Sequence, residues 1–89
     1  MRIVLTIVGK DRVGIIARVS SVLAEHNINI LNINQNIMDG FFNMVLIANM
    51  ENADLQLDKV KAVFNELGKE IGVEIRVQSE DIFTAMHRI

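Results

Sequence analysis

The sequence predicts an α+β fold in which two helices cover one face of a four-stranded antiparallel sheet. Short apolar and β-branched runs alternate with two longer stretches that have helical spacing. The dipeptide Asp39-Gly40 separates two of the short runs and is a strong signal for a tight hairpin. The element order is therefore β-α-β-β-α-β. With two right-handed crossovers on either side of a hairpin, this order gives the ferredoxin-like arrangement.

The first β-α unit is predicted from residues 3–26. Residues 3–8 are apolar on both faces, as expected for a central strand. A helix is predicted from Val13 to His26, because apolar residues recur there at spacings of three and four. Asp11 is placed to cap this helix or to favour its positive end, and Asn27 suits the left-handed position after its C-terminus.

The second strand is predicted from Ile28 to Met38, and its pattern is unusual. The apolar parity changes near Ile30 and Leu31, which predicts a β-bulge. Asparagine is depleted in strands, yet three of them share the opposite face: Asn32, Asn34 and Asn36. Three interpretations stay open for this asparagine ladder, namely a solvated face, hydrogen bonding across a subunit interface, or contact with a polar ligand.

The second half of the chain repeats the strand and helix pattern. A strand is predicted over residues 41–50, and Asp54 is a candidate N-cap for the next helix. Gly68 within this helix allows close packing, and Gly72 is a natural C-terminal stop. The apolar positions of the helix are Leu57, Val60, Val63, Phe64, Leu67 and Ile71.

The last strand is predicted over residues 73–78, where apolar and polar residues alternate. A short C-terminal helical tail is predicted over residues 80–89, with Ser79 as its cap. In this arrangement the chain leaves the second face of the sheet uncovered. Because several residues of that face are apolar or amides, we expect a homodimer or a higher homo-oligomer.

Composition narrows the class of protein. The 89 residues predict a single domain over residues 1–89, with a net charge of −2 and no cysteine. No cluster of lysine and arginine is present, so we expect no direct binding of nucleic acid. No apolar run approaches the roughly 20 residues that span a bilayer, and no leader pattern follows Met1. We therefore expect a cytoplasmic protein that makes no membrane contact.

Catalysis is not predicted. The two histidines, His26 and His87, each stand at the end of an element, where surface or capping roles are expected. No residue set has the spacing of a zinc site, and no serine lies in a nucleophile elbow. The spacing of Gly9 and Gly14 matches a phosphate loop, but Ile15 stands where that loop needs lysine. We expect no catalytic residue, no metal and no cofactor.

The turn from Gly9 to Ile15 is the candidate binding element. A strand that turns directly into a helix leaves free backbone N–H groups, which favour an anion. The carboxylate of Asp11 adds a negative charge, so the turn suits a zwitterion better than a phosphate. The alternative is that the glycines serve only the sterics of the turn, that Asp11 is only a cap and that Arg12 is a surface base.

Three segments of the sequence together resemble the ACT domain family, and the resemblance extends over nearly the whole chain. They are Lys10-Asp11-Arg12-Val13-Gly14-Ile15, Glu25-His26-Asn27 and Ile28-Asn29-Ile30. The ending from Glu80 to Ile89 is similar to that of an uncharacterised group of small, free-standing ACT proteins. That group resembles the ACT regulators of glycine cleavage gene expression, which carry two copies where this chain has one.

The resemblance implies a regulatory module that senses a small molecule and modulates a partner protein. Family members bind an amino acid or a similar ligand between subunits. Carried over, Asp11 faces the ammonium group of the ligand, the backbone of Arg12, Val13, Gly14 and Ile15 takes its carboxylate, and Asn29 comes from the partner chain. The family often has proline at the position of Val13 and glycine at the position of Asn27, so this sequence departs from the family pattern at both. The alternative function is a ligand-free adaptor for protein–protein interaction.

Overall fold

The computed structural model describes residues 1–86 and contains the predicted elements in the predicted order. His87 and the end of the predicted tail lie outside the described residues. The elements are β1 (Arg2–Lys10), α1 (Ile15–Glu25), β2 (Asn29–Met38), β3 (Phe41–Asn49), α2 (Leu57–Ile71), β4 (Val73–Ser79) and α3 (Glu80–Met86).

The four strands form one antiparallel sheet in the order β2-β3-β1-β4. The apolar strand β1 is central, as predicted, and lies between β3 and β4. The strands β2 and β4 form the two edges. The ferredoxin-like fold predicted from the sequence is therefore confirmed.

The core lies between one face of the sheet and the two long helices. Alternate residues of β1 and β3 point into it, among them Leu5 and Leu46, which pair in register and are fully buried. Val19 and Leu23 contribute from α1, and Phe64 contributes from α2. The helical spacing thus identified the core-facing side of both helices, although in α1 the fully buried residue of the first turn is Ile15 and not Ile16.

The predicted turn residues have the expected backbone conformations. Asn27 follows α1 with a φ of 57°, and Asp39 and Gly40 form the β2–β3 hairpin with φ values of 52° and 80°. Gly72 ends α2 with a φ of 74°, and its N–H donates to the carbonyl of Gly68. The bulge in β2 is also confirmed, because the pairing with β3 shifts between Ile30 and Asn32.

Two predicted caps are wrong. Helix α1 begins at Ile15 instead of Val13, and its N-cap is Gly14, with no capping side chain from Asp11 or any other residue described. The φ of 92° at Gly14 is left-handed, so the helix cannot extend back through this residue. The spacing between a polar residue and the following apolar residues, which predicts a cap, does not show that Gly14 reverses the backbone between them.

Asp54 does not cap α2, whose N-cap is Gln56 without a side-chain hydrogen bond. Instead, Oδ1 of Asp54 lies 2.9 Å from Nδ1 of His26. The backbone N–H of Asp54 also donates to the carbonyl of His26 over 3.1 Å. Asn27 also donates from Nδ2 to the carbonyl of Asn52. These contacts tie the end of α1 to the loop before α2.

The expectation of an entirely uncovered second sheet face is also wrong. Val4 points to this face, since it pairs with Ile47 in β3, and it is only 2% exposed. Helix α3 contacts β1 and β4, and its backbone begins with a hydrogen bond from the N–H of Ile82 to Oγ of the predicted cap Ser79. This face is therefore not uniformly exposed: Val4 is buried in β1, one of the two strands that α3 contacts, whereas residues 31–38 of β2 are all exposed.

The helices within residues 1–86 are all too short or too polar to cross a membrane.

Candidate functional site

The turn between β1 and α1 is held against the β2–β3 hairpin. The backbone N–H of Asp11 donates to the carbonyl of Gly40 over 2.8 Å. Gly14 then reverses the chain, and its carbonyl accepts the first helical hydrogen bond, from Arg18, over 2.9 Å. No side chain within residues 1–86 caps α1, so the N–H groups of its first turn are free of a side-chain partner from this part of the chain.

A cavity of about 250 Å³ opens beside this turn, between the start of α1 and the end of α2. Four of the six residues proposed from the sequence line it, together with three others. The lining residues are Arg12, Val13, Gly14, Ile15, Arg18, Glu70 and Ile71. A volume of this size suits a small metabolite and not a nucleotide.

Two guanidinium groups and one carboxylate set the charge of the cavity wall. Nη1 of Arg12 donates to the carbonyl of Ile71 over 2.8 Å, at the negative end of α2. Nη2 of Arg18 forms an ion pair with Oε1 of Glu70 at 2.8 Å. Arg12 is thus more than the surface base of the alternative interpretation, because it fixes the C-terminus of α2 against the turn.

Asp11 lies next to the cavity but is not part of its lining. It is exposed, and its carboxylate has no hydrogen-bond or ion-pair partner within residues 1–86. Val13 is also exposed and points away from the core, so it contributes an open apolar surface at the mouth of the turn.

Asn29 is not brought to this site within one chain. It pairs with Asn49, which in turn pairs with Arg2, whereas Lys10 pairs with Phe41 at the other end of the sheet. The length of a nine-residue strand, about 30 Å, therefore separates Asn29 from the turn. An Asn29 side chain reaches the turn only from a second chain.

Sequence reasoning missed Arg18, Glu70 and Ile71. Arg18 follows Ile15 by three residues, so its position above the turn was accessible from helical spacing alone. The positions of Glu70 and Ile71 beside the turn could not be predicted from helical spacing, because more than fifty residues separate them from Arg18 and Arg12. It depends on the packing of both helices on one sheet.

Replacing Arg12 by methionine is expected to lower the free energy of unfolding by about 1 kcal/mol, since one charge-assisted hydrogen bond is lost. Urea denaturation would measure the change. The matched control is Arg76→Met, because Arg76 forms an ion pair with the exposed Glu74 on the same strand. This substitution should change the free energy of unfolding by less than about 0.5 kcal/mol. Equal effects of the two substitutions would contradict a structural role for Arg12.

The architecture defines a small ferredoxin-like domain with a candidate binding turn between its first strand and first helix. The family model described as ACT domain matches residues 1–78. The chain belongs to the ACT domain family.

The relatives include short chains that this sequence matches from end to end. It is 51% identical to a UPF0237 protein of Bifidobacterium longum, over 97% of this chain and 96% of the relative. It is 47% identical to a UPF0237 protein of Methanocaldococcus jannaschii, over 99% of this chain and 98% of the relative.

Solved structures support the same assignment. An ACT domain protein from Streptococcus pneumoniae superposes with a TM-score of 0.82 and 34% identity, over 93% of each chain. A putative glycine cleavage system transcriptional repressor superposes with a TM-score of 0.76, over 86% of this chain and 44% of the repressor. The repressor is 19% identical to this chain, so the superposition shows a shared fold alone.

No group of three or more histidine, cysteine, aspartate or glutamate side chains in residues 1–86 is arranged to hold a metal ion.

Proposed function

We propose that this protein is a regulatory module that binds an amino acid, or a similar zwitterion, between two subunits and thereby modulates a partner protein. The observation that carries the proposal is the free carboxylate of Asp11 beside the uncapped start of α1. These two groups offer a negative charge and several N–H donors within one turn. ACT domains are typically ligand-sensing regulatory modules, which agrees with this chemistry.

The edge position of β2 gives a second subunit a geometrically suitable place to dock. When two β2 edges pair antiparallel about a two-fold axis, the start of each strand meets the end of the other. The end of β2 leads into the hairpin, whose Gly40 carbonyl holds Asp11. The partner subunit's Asn29 therefore comes near the Asp11 turn, and two equivalent sites result.

Exposed apolar side chains on β2 support this pairing. Ile33 and Ile37 point to the helix side of the sheet, since they pair with Leu46 and Phe42, yet they are 39% and 54% exposed. The two helices of the same chain do not reach far enough to cover them. A second subunit along the β2 edge would remove these side chains from water.

In the proposed site, the ligand carboxylate accepts hydrogen bonds from the backbone of Arg12 to Ile15, and Asp11 faces the ammonium group. A small amino acid has fewer than about ten heavy atoms, which limits its total binding free energy. A helix start contributes only about 0.3–1 kcal/mol to an exposed anion. Enclosure by the partner chain is therefore needed, so ligand binding and subunit association are coupled.

A thermal-shift panel of the common amino acids tests the proposal. At a hundredfold excess over Kd, a ligand that binds only the folded protein stabilises it by about 2.7 kcal/mol. For a domain of this size, the melting temperature should then rise by on the order of 10 °C. The absence of a shift with every amino acid at millimolar concentration would favour the ligand-free adaptor function instead.

Asp11→Asn is the variant that tests the site. The carboxylate has no partner within residues 1–86, so the variant should keep the free energy of unfolding of the wild type within about 0.5 kcal/mol and lose the thermal shift. Asp58→Asn makes the same chemical change on the exposed first turn of α2 and should keep the shift. A full shift in Asp11→Asn would place the ligand elsewhere. Substitutions of Gly14 are less informative, because its φ of 92° strains any side chain.

A further inference from the structure

The wall of the cavity beside the β1–α1 turn carries a surplus of positive charge. Arg12 and Arg18 contribute two guanidinium groups, whereas Glu70 contributes a single carboxylate. Asp11 lies next to this wall, but in the proposed site its carboxylate faces the ammonium group of the ligand. The ligand therefore neutralises Asp11, and the surplus of one positive charge on the wall remains.

Most hydrogen-bond donors of the two arginines have no protein partner within residues 1–86. A guanidinium group carries five N–H donors in a fixed fork. Arg12 uses Nη1 to donate to the carbonyl of Ile71, and Arg18 uses Nη2 to donate to Glu70. The structure gives neither side chain another partner in this part of the chain. A carboxylate is the group that such a fork binds best, because its two oxygens match two parallel N–H donors.

Arg18 is more accessible to a ligand than Arg12. Its side chain is 48% exposed, and the side chain of Glu70, with which it forms an ion pair, is 59% exposed. Exposed ion pairs are weak, so a ligand carboxylate can share Arg18 with Glu70 or replace Glu70. Arg12 is held at the end of α2 and adds positive charge from a fixed position.

The same cavity has an apolar part. Ile15 is buried and Ile71 is half-buried, and both line the cavity together with the two arginines. Methylene groups of a ligand can pack against these side chains. The wall thus combines an apolar surface for an aliphatic stem with guanidinium donors for a negative group. The volume of about 250 Å³ is large enough for such a side chain next to the turn.

We propose that the ligand of the β1–α1 turn is an amino acid with an acidic side chain, and that its second carboxylate binds Arg18. This selectivity rests on the proposed function, because it requires an amino acid at the turn. The α-carboxylate accepts from the backbone N–H groups of residues 12–15, and the ammonium group faces Asp11. The side-chain carboxylate accepts from the guanidinium group of Arg18. A basic side chain is disfavoured, because it would meet two like charges at this wall.

Acidic amino acids and their amides are matched ligands that test this selectivity. Glutamate and glutamine differ only by the exchange of a carboxylate for an amide, and so do aspartate and asparagine. Thermal-shift titrations at neutral pH and constant ionic strength would compare the two pairs. The better acidic ligand should reach its half-maximal shift at a concentration at least about tenfold below that of its amide, since a charge-assisted hydrogen bond is gained.

Two substitutions in the cavity should change this preference in opposite directions. Arg18→Met removes the guanidinium group and keeps an aliphatic side chain, so the acid should lose its advantage while the amide still binds. Glu70→Gln removes the carboxylate that competes for Arg18, so the advantage of the acid should increase. Loss of the ion pair alone would affect both variants in the same direction. Arg76→Met removes an arginine outside this cavity and should leave the preference unchanged.

The outcomes distinguish this selectivity from the proposed function. An equal response to an acid and its amide, or a stronger response to a neutral or basic amino acid, would overturn the selectivity and leave the amino-acid site in place. A preference for the acid that persists in Arg18→Met would also overturn it. No shift with any amino acid would reject the proposed function and the selectivity together. Circular dichroism would verify that each variant is folded.

Discussion

Replacing Phe64 by alanine is expected to lower the free energy of unfolding by about 3–5 kcal/mol. Phe64 is 1% exposed and belongs to the core that joins α2 to the sheet. Its truncation removes a large apolar area and leaves a cavity that the surrounding strands cannot close. A domain of 89 residues has a total stability of about 4–13 kcal/mol, so the variant loses a large part of it.

Urea denaturation followed by circular dichroism would measure this loss. Phe41→Ala is the matched control, because Phe41 undergoes the same truncation at a position of β3 that is 58% exposed. At a protein concentration low enough to exclude assembly, the control should lose less than about 1 kcal/mol. Equal losses in the two variants would contradict the placement of Phe64 in the core.

Gly68→Val is expected to destabilise the fold by about 3 kcal/mol, although valine is a better helix former than glycine. A Cβ atom at position 68 would lie 2.6 Å from the backbone oxygen of Val73. The obstacle is backbone and not the end of a flexible side chain, so either α2 or β4 must move. Overpacking therefore exceeds the gain in helix propensity, which is below about 1 kcal/mol.

The control for Gly68→Val is Asn65→Val, which introduces the same side chain one turn earlier on the exposed surface of α2. It should change the midpoint of urea denaturation only slightly. A stable Gly68→Val protein would show that α2 and β4 are less closely packed than the structure indicates. The melting temperature provides a second measurement, with an expected fall of more than 10 °C.

The candidate ligand site consists of several segments of the chain. Some of them can be predicted directly from the sequence, and others cannot. The turn from Asp11 to Ile15 is continuous in sequence, and a strand that runs into a helix across glycine predicts exposed N–H donors there. The wall formed by Glu70 and Ile71 comes from a distant helix, and Asn29 requires a second chain. A continuous segment therefore predicts the kind of ligand that we propose, while the enclosure of the proposed site depends on contacts between distant segments and with a second chain.

The two wrong caps have a common physical cause. Asp11 and Asp54 both precede a helix at a distance typical of capping residues. The left-handed backbone at Gly14 starts α1 later than expected, and His26 binds the carboxylate of Asp54. The backbone conformation of Gly14 and the contact with His26 therefore prevent the capping hydrogen bonds that the local sequence predicts.

The sequence by itself determined the order of the elements, the buried stripes of both long helices, the β2 bulge and the hairpin at Asp39-Gly40. These features follow from hydrophobic periodicity and from residues with special backbone preferences, which act over a few positions. Only the tertiary structure decided that Arg12 holds the end of α2, that α3 packs against β1 and β4, and that Asn29 lies a full strand length from Asp11. Such relations depend on how the elements pack, and no periodic pattern within one segment encodes them.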